Sequence, residues 1–352
     1  MPFSMPRFDA APLASAPDCR FTPAPADGVL PDGFFSTSNL PTWLKRSGKW
    51  EMPLRPRMDG CVVERSGALQ VVEGRKVRAG EPVACGLKED GTEGVLVHDG
   101  FREDEPAEKF RFMSTPVSRE RPVSYEKLAE SLKRERDADG YLVWSLGPAV
   151  VHARAREDIE WFIRNGYVSA LLAGNALAAH DIESAMFGTA LGVDAAGQPV
   201  ESGHGMHLRA INEVRRLGGI EKAIAAGKLT SGVMHTLVTQ EVPYVLAGSI
   251  RDDGPLPEVF TDNLAAQDAM REHTAQATGA VLVATSLHAI AIGNQLPAFH
   301  TARAGIEPLL TICVDQTEFV VNKLKDRGTH QAFGVVTNAQ DFLALLRAAL
   351  ER

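Results

Sequence analysis

From residue 140 onward, short apolar runs alternate with longer amphipathic segments, and this alternation limits the possible folds most. Six runs have the length and composition of buried strands, at 141–146, 168–173, 244–247, 281–284, 310–314 and 334–336. Segments with helical periodicity accompany them, at 159–164, 178–187, 208–216, 265–273 and 319–325. Strands that are apolar along their whole length and separated by helices predict a parallel sheet that is covered on both faces.

The chain changes character near residue 120. We expect residues 121–352 to form an α/β domain with a Rossmann-like parallel sheet and helices on both faces. Residues 31–120 are rich in Pro, Gly and short β-type runs, which predicts a small β-rich domain. Residues 1–30 lack a continuous apolar stretch, so we interpret them as a mobile arm rather than a signal peptide.

Composition and charge exclude several classes of partner. The formal net charge of -8 argues against a general affinity for nucleic acid, whose phosphates attract basic surfaces. No apolar stretch approaches the ~20 residues that a membrane span needs. The four cysteines show no C-x-x-C spacing, which fits neither a zinc site nor a disulfide framework and favours a cytoplasmic location.

The ends of the predicted strands carry the functional signal. Each run finishes in a small or polar turn, at 147–148, 174–175, 248–249, 285–286, 315–316 and 337–338. In open α/β sheets, ligands bind at the carboxyl ends of the strands. Glycine there lets a ligand approach the backbone, and free amides at helix N-termini suit phosphate. Together these turns predict a composite site for a dinucleotide, with NAD as the favoured cofactor.

Three turns are candidates for cofactor contacts, although each has a structural alternative. No G-x-G-x-x-G motif is present, and Asn175 with Ala176 after Gly174 could replace it or form an ordinary turn with an Asn cap. Asp315 could accept hydrogen bonds from a ribose diol and favour NAD over NADP, or it could cap the next helix. The segment 285–288 could hold phosphate or ribose, or simply begin a helix.

Two loops are candidates for catalysis. Arg251, Asp252 and Asp253 follow a buried strand, where an arginine can bind a carboxylate and paired acids can act as general acid and base. The alternative is a solvated turn. His204 and His207 lie in a Gly/His loop without a neighbouring acid or cysteine. That spacing is a weak metal signature, so we predict no metal site and expect a loop that closes over substrate.

Several segments together resemble one known family. Residues 166–183, 245–257, 266–273 and 287–294 resemble the archaeal-type ornithine cyclodeaminases, also described as the conserved domain of the LOR/SDH group. The likeness extends upstream through 34–39, 58–59 and 112–114. It implies a fold like that of deoxyhypusine synthase with tightly held NAD. The implied cofactor-binding residues are Asn175, Ala176, Asp253, Thr285, Ser286, Leu287, His288, Asp315, Asn338 and Ala339.

The resemblance also implies a reaction. L-Ornithine would be oxidised transiently at its α-amine, cyclised with loss of ammonia, and reduced by the same cofactor to L-proline. Arg251 would bind the substrate carboxylate, Asp252 would shuttle protons and His204 would assist from its loop. The sequence departs from the family pattern at Leu40, Gly205, Met206 and Asn338.

Those departures leave two alternatives open, namely another amino acid or amine as substrate, or a non-catalytic NAD-binding module. We further expect a homo-oligomer.

Overall fold

The computed structural model describes residues 3–101, 123–194, 196–252, 254–302, 305–317, 319, 322–323 and 332–352. These residues divide into two compact units. The first unit contains the described residues up to Ser124 together with the segment from Asn294 to Leu309, and the second contains the remainder.

The described strands and helices are numbered here in chain order. The strands are β1 (Arg20–Pro23), β2 (Thr42–Arg46), β3 (Lys49–Glu51), β4 (Cys61–Arg65), β5 (Ala68–Val72), β6 (Pro82–Cys85), β7 (Val95–Val97), β8 (Leu142–Leu146), β9 (Ala170–Gly174), β10 (Tyr244–Ala247), β11 (Gly279–Val283), β12 (Phe299–Ala302), β13 (Gly305–Pro308), β14 (Leu310–Asp315) and β15 (Ala332–Val336). The helices are α1 (Tyr125–Asp137), α2 (Ala149–His152), α3 (Arg156–Arg164), α4 (Asn175–Phe187), α5 (Met206–Leu217), α6 (Ile220–Ala225), α7 (Val233–Thr239), α8 (Asn263–Thr274), α9 (Ser286–Gln295) and α10 (Ala339–Leu350).

The first unit is built from antiparallel strands. Its largest sheet has the order β1-β6-β4-β5, a second has the order β3-β2-β7, and β12 pairs with β13. Inward side chains such as Phe35, Leu44 and Val62 form its core. The β-rich character predicted for this part of the chain is therefore confirmed.

The segment predicted to be a mobile arm is packed within the first unit. Strand β1 pairs with β6 from Arg20 opposite Cys85 to Pro23 opposite Pro82. The buried Lys45 ammonium donates to the carbonyl of Ala16 at 2.7 Å. A buried cation needs acceptors, and the backbone of this segment supplies them. The predicted domain border at residue 120 lies outside the described residues and stays a prediction.

The second unit contains a parallel six-stranded sheet in the order β10-β9-β8-β11-β14-β15. All six runs predicted from the sequence form these strands. Counted along the chain within this sheet, the order is 3-2-1-4-5-6, which is the Rossmann arrangement. The strand order reverses between β8 and β11. The predicted Rossmann-like α/β fold is confirmed, and this switch point is where such sheets bind ligands.

The centre of the sheet is buried and mostly apolar. Strand β8 is buried at every residue. The Trp144 ring packs 4.9 Å from the Phe162 ring, and its Nε1 donates to the Tyr167 carbonyl at 2.7 Å. Burial on both faces explains why the central strands read as continuous apolar runs.

Four of the predicted helices correspond to α3, α4, α5 and α8. The predicted helix at 319–325 lies largely outside the described residues. Helix α9 was not predicted as a helix body because its sequence is apolar around most of its circumference and lacks a clear period. Across the described ranges, no helix is long and apolar enough to cross a membrane.

Candidate active site

The turns that follow the parallel strands lie along one edge of the sheet. Ala247 pairs with Gly174 between β10 and β9, and Leu146 pairs with Val283 between β8 and β11. Asp315 pairs with Val336 between β14 and β15. In-register parallel strands bring their carboxyl ends together, so the polar turns predicted from the sequence share this edge.

At the switch point, two turns pack backbone against backbone. Gly147 donates its amide to the Val283 carbonyl at 2.9 Å. A Cβ at Gly147 would lie 1.8 Å from the carbonyl oxygen of Ala284, which only glycine avoids. Ala284 itself has a φ of 54°, an unusual conformation for a residue with a Cβ. The turns after β8 and β11 are therefore held in close contact at the switch point.

The segment 285–288 follows the turn at Ala284 and begins helix α9. Ser286 and Leu287 are exposed, and Leu287 has 70% of its surface accessible. The His288 ring lies against the β9 turn, because a Cβ at Gly174 would be 2.9 Å from its Cε1. Burial lowers the pKa of His288, so its ring is neutral at pH 7. The start of α9 therefore lies at this edge of the sheet beside a neutral imidazole.

Asp315 is the last residue of β14, and Asn338 follows β15. Oδ1 of Asp315 accepts hydrogen bonds from the backbone amide and hydroxyl of Thr317, both at 3.1 Å. Asn338 is the N-cap of α10 and accepts from the amide of Asp341 at 2.8 Å. The neighbouring Ala339 is buried. The Asn338 side chain therefore satisfies the start of α10 as an N-cap.

On the other side of the switch point, the turns after β8, β9 and β10 surround a cavity of about 370 Å³. Asn175 and Ala176 line it from the start of α4. The buried Asn175 donates from Nδ2 to Asp252 at 2.9 Å and accepts from the amide of Leu256 at 3.1 Å. Its side chain does not cap α4, so the Asn-cap alternative is wrong. Asn175 instead holds the loop that follows β10 by hydrogen bonds to two of its residues.

The predicted catalytic residues are only partly brought together. Arg251 and Asp252 both line the cavity. Asp252 Oδ2 also accepts from the amide of Ser249 at 2.7 Å. Asp253 lies outside the described residues. His204 is exposed in a 3-10 turn and is not among the described residues that line the cavity. His207, from α5, does line it.

Two further histidines of the cavity were not among the predicted site residues. His152 from α2 and His180 from α4 line it, and their ring centroids are 4.9 Å apart. His180 is hydrogen bonded to the fully buried Glu183. The available signal was the spacing of three between His180 and Glu183 within helix α4. Among the described residues, no three His, Cys, Asp or Glu side chains form a group that could hold a metal ion.

Comparison with known proteins agrees with this architecture. The family described as "Arginine dihydrolase ArgZ-like, C-terminal, Rossmann fold" matches residues 126–346, and its "first region" matches residues 41–126. An ornithine cyclodeaminase of Methanopyrus kandleri is 44% identical over 353 residues, which are 98% of this chain and 81% of that protein. The chain belongs to the archaeal-type ornithine cyclodeaminase family. The resemblance stated from the sequence is confirmed.

Solved structures extend the comparison for this cyclodeaminase family member. A conserved LOR/SDH protein from Methanococcus maripaludis superposes with a TM-score of 0.87 at 38% identity, covering 96% of this chain and 99% of that one. The ternary complex of AgrE with ornithine and NAD⁺ has a TM-score of 0.60 at 36% identity, covering 96% of this chain and 46% of that one. AgrE from Nostoc sp. is a bifunctional arginine dihydrolase/ornithine cyclodeaminase.

Proposed function

We propose that this chain is an NAD-dependent ornithine cyclodeaminase that converts L-ornithine to L-proline and ammonia. The observation that carries the proposal is the carboxyl edge of the sheet. There the cavity lined by Arg251 and Asp252 lies next to the turn at Gly147 and the start of helix α9. The volume of about 370 Å³ is within the range of small-molecule sites. AgrE, which binds ornithine and NAD⁺, supports the same pairing of ligands.

The residues on the β11 and β14 side fit a dinucleotide. The amides of Ser286 and Leu287 at the start of α9 suit the pyrophosphate. Thr317 bonds only Oδ1 of Asp315, so Oδ2 could accept from a ribose diol, and the carboxylate would repel a 2′-phosphate, which favours NAD over NADP. The exposed Leu287 side chain offers an apolar surface for a ring. We assign His288, Asn338 and Ala339 to the same half of the site.

The residues on the β9 and β10 side fit an amino acid. Arg251 is exposed at the cavity and would bind the substrate carboxylate through a bidentate guanidinium contact. Asp252 holds the loop that carries Arg251, through its bonds to Asn175 and Ser249. Proton transfer by Asp252 and assistance by His204 stay predictions.

The overall reaction is balanced without an external oxidant. Bound NAD would take a hydride from the α-carbon of ornithine and return it later. Between those events the δ-nitrogen forms a bond to the α-carbon, and the bond from that carbon to the α-nitrogen breaks, releasing ammonia. The protein must therefore bind the carboxylate, move protons at the α-nitrogen and keep water from the imine.

Ammonia release from a panel of diamino acids tests the proposal. The purified protein with NAD is incubated separately with L-ornithine, L-lysine and L-2,4-diaminobutyrate. We expect ammonia and proline in equal amounts from ornithine. Ammonia from another diamino acid alone would assign a different substrate. No ammonia from any of them, with NAD still bound, would indicate a non-catalytic NAD-binding module.

A further inference from the structure

Helix α4 places an ionisable pair beside the cavity, one turn apart. His180 Nδ1 lies 3.1 Å from Glu183 Oε2, and their side chains are 11% and 0% exposed. Burying a carboxylate is unfavourable unless hydrogen bonds replace those it makes with water. A pair held in this way at the wall of a ligand cavity needs a structural or a chemical reason.

Glu183 is fully satisfied in its buried position. Besides His180, it accepts from the Thr189 hydroxyl at 2.9 Å and the Gly192 amide at 3.0 Å, and from the Leu191 amide at 3.2 Å. Burial would raise the pKa of Glu183, but the bonds from His180, Gly192 and Thr189 outweigh burial and hold the pKa below its ordinary value. Glu183 is therefore a carboxylate at neutral pH and can only accept hydrogen bonds.

This acceptor fixes the tautomer of His180. Because Glu183 has no proton to donate, Nδ1 of His180 must carry the hydrogen, and Nε2 of the neutral ring is left as an acceptor. His180 is one of the residues that line the cavity. A carboxylate behind an imidazole also stabilises the imidazolium that forms when Nε2 takes a proton.

The other charged and titratable groups around His180 come from three neighbouring elements. His152 on α2 and His207 on α5 have ring centroids 4.9 and 5.9 Å from that of His180. Burial, and then repulsion from the charge that His180 carries when it is protonated, lower the pKa of His152, so it is neutral at pH 7. Arg251 and Asp252 line the same cavity from the loop after β10.

We propose that Nε2 of His180 accepts the proton that the α-ammonium of the substrate loses before hydride transfer, with Glu183 as the positioning residue. This inference rests on the proposed function. The N–H bond breaks, its electron pair stays on the α-nitrogen, and the proton moves to Nε2. Glu183 neutralises the resulting imidazolium. Asp252 is less suited to the task, because both of its oxygens already hold the loop after β10.

Kinetics of matched variants test the catalytic part. For His180→Gln we expect kcat to fall by about 10²-fold or more, the usual contribution of a positioned base, with NAD affinity unchanged. For Glu183→Gln we expect the acidic limb of the kcat/KM pH profile to move to lower pH. Glu183→Asp keeps a carboxylate, so its acidic limb should lie closer to that of wild type. The controls are His273→Gln and Glu160→Gln, which alter a half-buried histidine on α8 and a buried carboxylate on α3.

A spectroscopic readout tests the positioning part without turnover. Long-range ¹H–¹⁵N spectra of histidine-labelled protein should show His180 as the Nδ1–H tautomer at pH 7.5 and a mixture of tautomers in Glu183→Gln. An unchanged tautomer in that variant would overturn the role of Glu183. A His180→Gln kcat within threefold of wild type would overturn the role of His180. If wild type releases no ammonia from ornithine, the proposed function fails, and His180 has no such proton to accept.

Discussion

At the scale of single residues, Gly147 carries the tightest backbone contact of the site. An added Cβ would lie 1.8 Å from the Ala284 oxygen, so Gly147→Ala must displace the β11 turn. We expect a loss of about 1–3 kcal/mol in the free energy of unfolding, as for other overpacked positions, and weaker NAD binding. Urea unfolding and NAD titration measure both effects.

Gly74 provides the control for that substitution. A Cβ there would be 3.5 Å from the Leu30 side chain, an ordinary contact, so Gly74→Ala should leave NAD affinity unchanged. If Gly147→Ala matches wild type in stability and NAD affinity, the close approach of the two turns does not exist in solution.

Asp252 is the second residue that can be tested singly. Its carboxylate accepts from Asn175 and from the Ser249 amide, and an amide side chain can replace only one of these acceptor oxygens. We expect Asp252→Asn to abolish turnover while NAD stays bound. Steady-state kinetics and NAD titration check this, and near-normal turnover would remove Asp252 from the site.

At the scale of elements, Asp181 joins three helices of the α/β unit. Its fully buried carboxylate on α4 accepts from the amides of Val233 and Met234 at the start of α7 and pairs with Arg156 of α3 at 2.8 Å. Asp181→Asn leaves the Arg156 charge without its partner. We expect a loss at the lower end of about 3–5 kcal/mol, since Arg156 keeps some exposure to solvent.

Urea unfolding of Asp181→Asn measures that loss, and Glu213→Gln is the matched control. Glu213 pairs with Arg216 on the surface of α5, where water already solvates both charges. Its substitution should not change the unfolding midpoint beyond experimental error. Equal midpoints for the Asp181 variant and wild type would show that the buried pair does not hold α3, α4 and α7 together.

The same elements show what the sequence could and could not predict. The six strands were predictable because burial on both faces leaves an apolar run, as in β8. Helix α9 has no such period, and it was anticipated only as a helix start. The contact between Asn175 and Asp252 joins residues 77 positions apart, so no local pattern reports it. His180 is not predicted because a single histidine within a helix usually indicates packing.

At the scale of the whole molecule, buried histidines make stability depend on pH. Burial lowers the pKa values of His152, His273 and His288, all in the α/β unit. The folded state then binds fewer protons than the unfolded chain, whose histidines titrate near pH ~6.5. Their contribution is therefore complete above that pH and is lost as the pH falls through the lower, folded-state values.

Thermal unfolding between pH 7.5 and 5.5 checks this linkage. We expect Tm to fall with pH across the window, and His273→Gln should reduce the slope. Glu183 does not interfere, because its lowered pKa places its titration below this range. A Tm that is constant from pH 7.5 to 5.5 would contradict the burial of these rings.

The central claim is that one bound NAD oxidises and then reduces the same carbon of ornithine. The most direct measurement follows L-ornithine that carries deuterium on the α-carbon and ¹⁵N on the α-nitrogen. We expect proline that keeps the deuterium, ammonia that carries the ¹⁵N, and no net formation of NADH. Deuterium lost to solvent, ¹⁵N retained in proline, or accumulation of NADH would contradict it.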